Sequence, residues 1–174
     1  MCSFSIYGDY KNSYFLNNEI CIYDVDFKYR VYLRSFDNKV NTKDGRRYVG
    51  IIIVHNDIKY FIPLTSKPLR SNGKRRNQRT TVEIKDGETL IGALLINNMI
   101  PVPDGSFSKV DIENDRHKDY LNKEYIHIKN HGNQILNKIK NVYNDVTIRN
   151  DSFMSAFCCD FKLLEEKSKQ WTAL

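Results

Sequence analysis

Polar and apolar residues alternate along the first half of the chain and recur at helical spacing along the second. The clearest element is "YVGIIIVHNDIKYFIPL", two runs rich in β-branched residues joined by His55-Asn56-Asp57. It predicts a β-hairpin whose first strand is largely buried. Upstream, "EICIYDVDFKYRVYLRSFD" sets Ile20, Ile22, Val25, Phe27 and Val31 partly in phase, which predicts one or two strands. "NKVNTKDGRR" is a polar loop with an Asp44-Gly45 turn signal. After the hairpin, Thr65 to Arg79 reads as loop and "TTVEIKD" as a further strand. "GETLIGALLINNM" places Leu90, Ile91, Leu94 and Leu95 on one helical face, so a short helix is predicted, followed by an extended "IPVP".

Between residues 118 and 145, Leu121, Tyr125, Ile128, Ile135, Ile139 and Val142 recur at spacings of three, four and seven. His131-Gly132 interrupts the pattern, giving two helices or one kinked helix. The tail "DFKLLEEKSKQW" offers Asp160 as N-cap of a short amphipathic helix, with Glu165 and Glu166 as surface acids. Strands first and helices later predict an α+β fold: a single domain with a curved antiparallel sheet or small barrel carrying helices. Residues 1–19, rich in Asn, Ser and Tyr, are a loose extension or an added edge strand, and the domain proper runs over 20–174.

Charge narrows the partners. The chain carries 27 Lys and Arg against 21 Asp and Glu, a formal +6, with a pI near 9.1. Such a surface suits a polyanion. The cations lie in polar loops rather than along an amphipathic helix face, which favours nucleic acid over a membrane surface. No apolar run approaches the roughly 18 residues of a membrane span. Asp9 and Lys11 break any signal-peptide pattern. Cys2, Cys21, Cys158 and Cys159 show no Cys-x-x-Cys spacing, so reduced thiols in a cytoplasmic protein are expected.

The chemistry concentrates in "YFIPLTSKPLRSNGKRRNQRTT". Thr65, Ser66 and Lys67 sit at a strand end, and Arg70, Lys74, Arg75, Arg76 and Arg79 follow without one acid. Two hydroxyls and a lysine on a rigid strand end suit one phosphate, while the trailing cations suit the adjoining backbone. Each half alone has a plain reading, a turn with capped donors or a solvated charge run. Other catalytic signatures are missing. Ser66 lacks a Gly-x-Ser-x-Gly setting, and no Gly-rich phosphate loop occurs. His127 and His131, four apart, have no Glu or third ligand at metal spacing and read as surface histidines. No metal or other cofactor is expected.

One reaction needs none of those parts. RNA brings its own nucleophile, the 2′-hydroxyl beside the scissile phosphate. The protein has only to hold the strand in line, neutralise charge on the phosphoryl oxygens and move a proton. Lys, Arg, Ser, Thr and Tyr suffice, and a lysine crowded by other cations can serve as base. The rival reading is a single-stranded RNA-binding module without chemistry.

Several landmarks resemble one family. "FKYRVYLRSFDNKV", "RRYVGIIIV", "KYFIPLTSKP", "LLINNMIPVP" and "FKLLEEK", from about Ile20 to Trp171, are similar to the ToxN/AbiQ toxins of type III toxin–antitoxin and abortive-infection systems. The resemblance implies a compact Kid/MazF-like antiparallel β-barrel elaborated with helices. It also implies a metal-independent endoribonuclease that cleaves messenger RNA and its own antitoxin precursor, leaving a 2′,3′-cyclic phosphate. The implied partner is a repeated pseudoknot RNA antitoxin that closes into a toxin–RNA hetero-oligomer. Residue by residue, the family's active loop falls on Thr65, Ser66 and Lys67, and its Lys-Tyr pair on Lys28-Tyr29, so that Tyr29 is expected to touch the RNA. A family lysine falls on Arg46. Arginine stabilises a phosphorane but is a poor base, which moves the base role toward Lys67 or Tyr29. The expected RNA groove is lined by Lys39, Lys43, Arg47, Arg70, Lys74, Arg75, Arg76 and Arg79.

Overall fold

The computed structural model describes residues 14–15, 19–53 and 58–172. The strands are β1 (Tyr14–Phe15), β2 (Ile22–Val25), β3 (Arg47–Ile53), β4 (Ile58–Thr65), β5 (Thr81–Asp86), β6 (Thr89–Leu95), β7 (Ile100–Pro101) and β8 (Phe107–Lys109). Helix α1 (Phe27–Arg34) falls between β2 and β3, while α2 (Lys118–Asn130), α3 (Gly132–Thr147), α4 (Ser152–Phe157) and α5 (Phe161–Gln170) close the chain.

The hairpin is formed by β3 and β4, antiparallel from Tyr48↔Pro63 to Ile53↔Ile58. Its turn, with His55, lies outside the described residues. β4 is the axis of the sheet. Along its other edge, Tyr60 and Phe61 pair with β7, and Leu64 and Thr65 pair with β6. From Tyr60 to Thr65 the strand is buried on both faces, which explains why its sequence runs apolar without alternating. β2 pairs with β3 at Val49, Tyr48 and Arg47, and β1 adds to β3 at Ile52 and Ile51. The sheet order is β5-β6-β4-β3-β2-β8. A closed barrel would need β5 and β8 to pair, and they do not among the described residues. The fold is α+β with an open antiparallel sheet.

Two expectations change. The second half of "EICIYDVDFKYRVYLRSFD" is helix, not strand. Asp26 caps it, its carboxylate accepting the Tyr29 N–H at 2.9 Å, and Tyr29, Arg30 and Leu33 form the buried face. Phe27 and Val31, which suggested period two, are exposed at 51 % and 46 %. "GETLIGALL" is strand β6, not helix. The two-residue connection Gly87-Glu88 closes a hairpin onto β5, with Gly87 at φ +58°, and both faces of the following run are covered. The interrupted segment resolves as two helices, α2 and α3, parted at His131. Asp160 caps α5 through Leu163 N–H at 3.1 Å.

Glu165 is not a surface acid. It is 6 % exposed, and its carboxylate accepts from Tyr60 Oη at 2.9 Å and Tyr143 Oη at 2.6 Å. This triple contact fastens α5 and α3 to β4. α2 packs on β5, and α5 also meets α1 and β7.

Because Asp26 caps the first turn of α1, Asp26→Ala is expected to cost about 1 kcal/mol. A urea titration should show a lower midpoint at unchanged slope. An unchanged midpoint would mean the cap contributes nothing.

Candidate active site

β4 delivers Thr65 and Ser66 to the mouth of a cleft of about 520 Å³, within the range of small-ligand sites. Thr65 is buried and its Oγ1 accepts the Lys67 N–H at 3.1 Å, whereas Ser66 is exposed. The facing wall begins with the loop Lys43-Asp44-Gly45-Arg46, turned by Gly45 at φ +63°. Arg46 is half-buried and donates through Nη1 to the Leu64 carbonyl. Its Nε is buried without a hydrogen-bond partner among the described residues. The third wall is the start of α2, where His117, Tyr120, Leu121 and Glu124 project at helical spacing onto one face.

Gly92 of β6 sits where these walls meet. A Cβ there would lie 3.0 Å from Glu124 Oε1, 3.0 Å from the Thr65 carbonyl and 3.0 Å from Tyr120 Oη. Only a residue without a side chain lets the α2 carboxyl approach the end of β4. Tyr120 is itself anchored, donating to the Ile91 carbonyl at 2.7 Å.

Burial dominates the electrostatics. Glu124 is 2 % exposed. Desolvation pushes its carboxyl up to about 7, against opposing pulls from the Tyr120 hydroxyl and the Arg46 charge. Desolvation lowers the pKa of Arg46, and repulsion from Arg76 and Arg30 acts in the same direction. Burial also raises Tyr120.

Arg46, Thr65 and Ser66, expected from sequence, therefore come together, and Lys43 and Arg47 line the same cleft. Other expectations do not fit. Tyr29 is completely buried, its hydroxyl donating to Pro101 O at 2.6 Å and its ring against Trp171. It presents no face to RNA. The Lys67 side chain is exposed and does not line the cleft; its carbonyl accepts from Arg76 Nη2 at 3.0 Å.

The continuous cationic groove is also revised. Arg47 is bridged to Asp24 and Asp115, Arg79 to Asp151 at 2.9 Å and Asp145 at 3.4 Å, and Arg75 faces Glu83 at 3.7 Å. Lys39 donates to the Cys158 carbonyl at 2.7 Å, at the end of α4. The basic loop folds back on itself through Arg70 N–H to Lys74 O and a Leu69↔Arg75 bridge, with Gly73 at φ +74°. Arg70 and Lys74 stand exposed at its tip without an ion pair among the described residues.

Sequence reasoning missed Glu124, Tyr120 and His117. Their signal was present: His117, Tyr120, Leu121 and Glu124 share one helical face, but Leu121 alone was read as facing inward. His127 and His131 stack on each other at 4.2 Å, and His127 Nδ1 meets the Lys85 backbone. Cys21, Cys158 and Cys159 are buried and free, and burial pushes the Cys158 thiol up to about 12. They pack rather than react.

A sequence profile described as "Toxin ToxN, type III toxin-antitoxin system" matches residues 21–169. The chain belongs to the ToxN toxin family. Among its curated relatives, Endoribonuclease ToxN of Bacillus thuringiensis subsp. kurstaki is 35 % identical over 162 residues, covering 84 % of this chain and 81 % of the relative. Endoribonuclease AbiQ of Lactococcus lactis subsp. lactis is 34 % identical over 158 residues, covering 84 % and 86 %. A solved structure concerned with selective toxin inhibition by a non-coding RNA pseudoknot superposes with a TM-score of 0.79 at 33 % identity, covering 87 % of this chain and 97 % of that one. That of AbiQ, an anti-phage endoribonuclease, gives 0.76 at 31 %, covering 87 % and 96 %. The range matched by the profile in this ToxN-family chain runs from just before β2 to the last turn of α5. No helix among the described residues is long and apolar enough to cross a membrane.

The raised Glu124 pKa has a sign for stability. The folded chain holds this proton up to about pH 7 and the unfolded chain only to about 4.5. The group therefore lowers stability as pH rises through that window. Glu124→Gln is expected to stabilise the protein by on the order of 1–3 kcal/mol at pH 8 and by little at pH 4.5. Melting temperatures at the two pH values check this. A variant that melts lower at pH 8 would show that attraction to Arg46 outweighs burial.

Proposed function

We propose that this chain is a metal-independent endoribonuclease toxin, the toxin half of a type III toxin–antitoxin pair acting in the cytoplasm. It cleaves messenger RNA and its own antitoxin precursor by attack of a ribose 2′-hydroxyl on the adjacent phosphate, leaving a 2′,3′-cyclic end. The observation that carries the reading is the convergence of Thr65, Ser66 and Arg46 at one cleft in a chain of this family. Its relatives are named endoribonucleases, and the structural neighbours concern inhibition by an RNA pseudoknot and regulation by a processed non-coding RNA. By the same reading, a pseudoknot antitoxin RNA occupies this cleft and closes a toxin–RNA hetero-oligomer. The open sheet is a derivative of the Kid/MazF-type barrel, carried by residues 20–174 with 1–19 as an extension.

The reading gives each residue a role. Ser66, exposed at the strand end, and the Thr65 hydroxyl orient the scissile phosphate. Arg46 stabilises the charge developing on it: a half-buried guanidinium with an unsatisfied donor interacts strongly with an entering anion. Lys43, Lys67, Arg70 and Lys74 hold the flanking strand, where phosphates on either side of the cleft meet them.

Ser66→Ala is expected to lower the single-turnover cleavage rate ~10²–10³-fold, the scale of losing one donor to a transition-state oxyanion, while RNA affinity holds. Lys74→Ala should weaken binding with the rate at saturation preserved. The opposite pattern, with affinity lost in Ser66→Ala and no cleavage by the unaltered protein, would establish a binding module. With about four cations on phosphates, log affinity should fall against log salt with a slope of about −3 for single strands; a flat response would remove the electrostatic contact. Cleavage should persist in excess EDTA. Its abolition, restored by a divalent ion, would overturn metal independence.

A further inference from the structure

With the proposed cleavage reaction as its starting point, the cleft raises a narrower question: which side chain moves the proton. The sequence pointed to Lys67 or Tyr29. Tyr29 is sealed in the core, and Lys67 stands outside the cleft. Arg46 is a charge stabiliser and a poor base. Thr65 and Ser66 are hydroxyls without a basic partner of their own.

We propose that Glu124 is the catalytic base, its carboxylate taking the proton from the 2′-hydroxyl of the nucleotide whose phosphate rests on Thr65, Ser66 and Arg46. Three observations place it there. Glu124 lines the same cleft as those residues. Its Oε1 and the Thr65 carbonyl both border the space beside Gly92, each 3.0 Å from where a Cβ would stand, so the carboxyl sits near the end of β4. At 2 % exposure it is screened from bulk solvent, and in the proposed step a ribose hydroxyl meets it from the cleft side, directly or through one water.

The groups facing it are few. From its own helix come Tyr120, whose hydroxyl oxygen lies beside the carboxyl while its proton goes to the Ile91 carbonyl, and His117, exposed nearer the helix start. Arg46 approaches from the segment before β3, with Lys43 and Asp44 on the same loop. Arg116 and Asp115 precede α2, and Asp115 is occupied by Arg47. β6 contributes no charge there, only Gly92. The pKa raised to about 7 by burial suits a base working near neutrality.

In the step, the 2′-oxygen forms a bond to phosphorus as its proton passes to the Glu124 carboxylate. The bond from phosphorus to the 5′-oxygen breaks, and that oxygen leaves with the bonding pair and takes a proton from solvent water. The Glu124 proton then returns to water, restoring the carboxylate.

The test is a pH–rate profile on an unstructured A-rich transcript under single-turnover conditions with EDTA, from pH 5.5 to 9. The unaltered protein should lose rate as pH falls through the Glu124 ionisation. Glu124→Gln should lower the rate ~10²–10⁴-fold and erase that acidic limb, while affinity for a fully 2′-O-methylated copy of the RNA stays within about threefold. Glu124→Asp, which keeps the charge, should retain the limb at reduced rate, and it carries the test should Glu124→Gln fail to give a cooperative melt. A merely electrostatic role, holding Arg46, predicts that Glu124→Gln has no further effect in a charge-free Arg46→Gln background; a base predicts a further drop there. The proposal is overturned if Glu124→Gln keeps rate and limb, if the limb disappears in His117→Ala instead, or if the Arg46→Gln background silences Glu124→Gln. An unaltered protein that never cleaves overturns the proposed function itself, a separate outcome.

Discussion

The two-sided hydrogen bonding of β4 is the constraint on which the rest of the molecule depends. One edge is held along its length by β3, and the other is shared by β7 and β6. A strand paired on both edges and covered on both faces cannot slip register without exposing Tyr60, Phe61, Ile62 and Leu64 to water. The position of Thr65 and Ser66 follows from that register. Thr65 is the last residue of that buried strand and Ser66 the first beyond it, so the strand itself sets where both hydroxyls begin.

Two buried carboxyls attach the helices to this strand, and they differ in kind. Glu165 receives two tyrosine hydroxyls and a more distant lysine, an arrangement that satisfies it and locks α3 and α5 in place. Glu124 faces a cleft, with the charge of Arg46 as its compensation and the proton of the neighbouring Tyr120 hydroxyl given to the Ile91 carbonyl. A satisfied buried carboxylate is a structural fastening, while an under-compensated one stores free energy that chemistry can use. Gly92 makes the second arrangement sterically feasible, because any side chain there would press the carboxyl away from β4.

The positive charge is organised more sparingly than its total suggests. Arg47, Arg75 and Arg79 face acids, Arg76 braces the loop by bonding the Lys67 and Leu69 carbonyls, and Lys39 caps a helix end. Much of the basic run therefore shapes the loop from Thr65 to Arg79. The cations left at its tip and at the cleft are those free to meet phosphate.

The β3–β4 hairpin, the helical second half, the Asp160 cap and the placing of hydroxyls and cations together at the end of β4 were legible in the chain, because each depends on neighbours in sequence: β-branched runs, spacing, turn residues, hydroxyls beside cations. What the chain could not show was burial, which depends on residues far away. Tyr29 became core because Trp171 and Pro101 close over it. "GETLIGALL" became strand because β4 and β5 offered it edges. Glu124 became a base candidate rather than a solvated acid because β6 carries glycine opposite it. Local order is written in short-range pattern, but the protonation of a carboxyl and the reach of a cation are set by what packs around them, and only the folded chain supplies that surrounding.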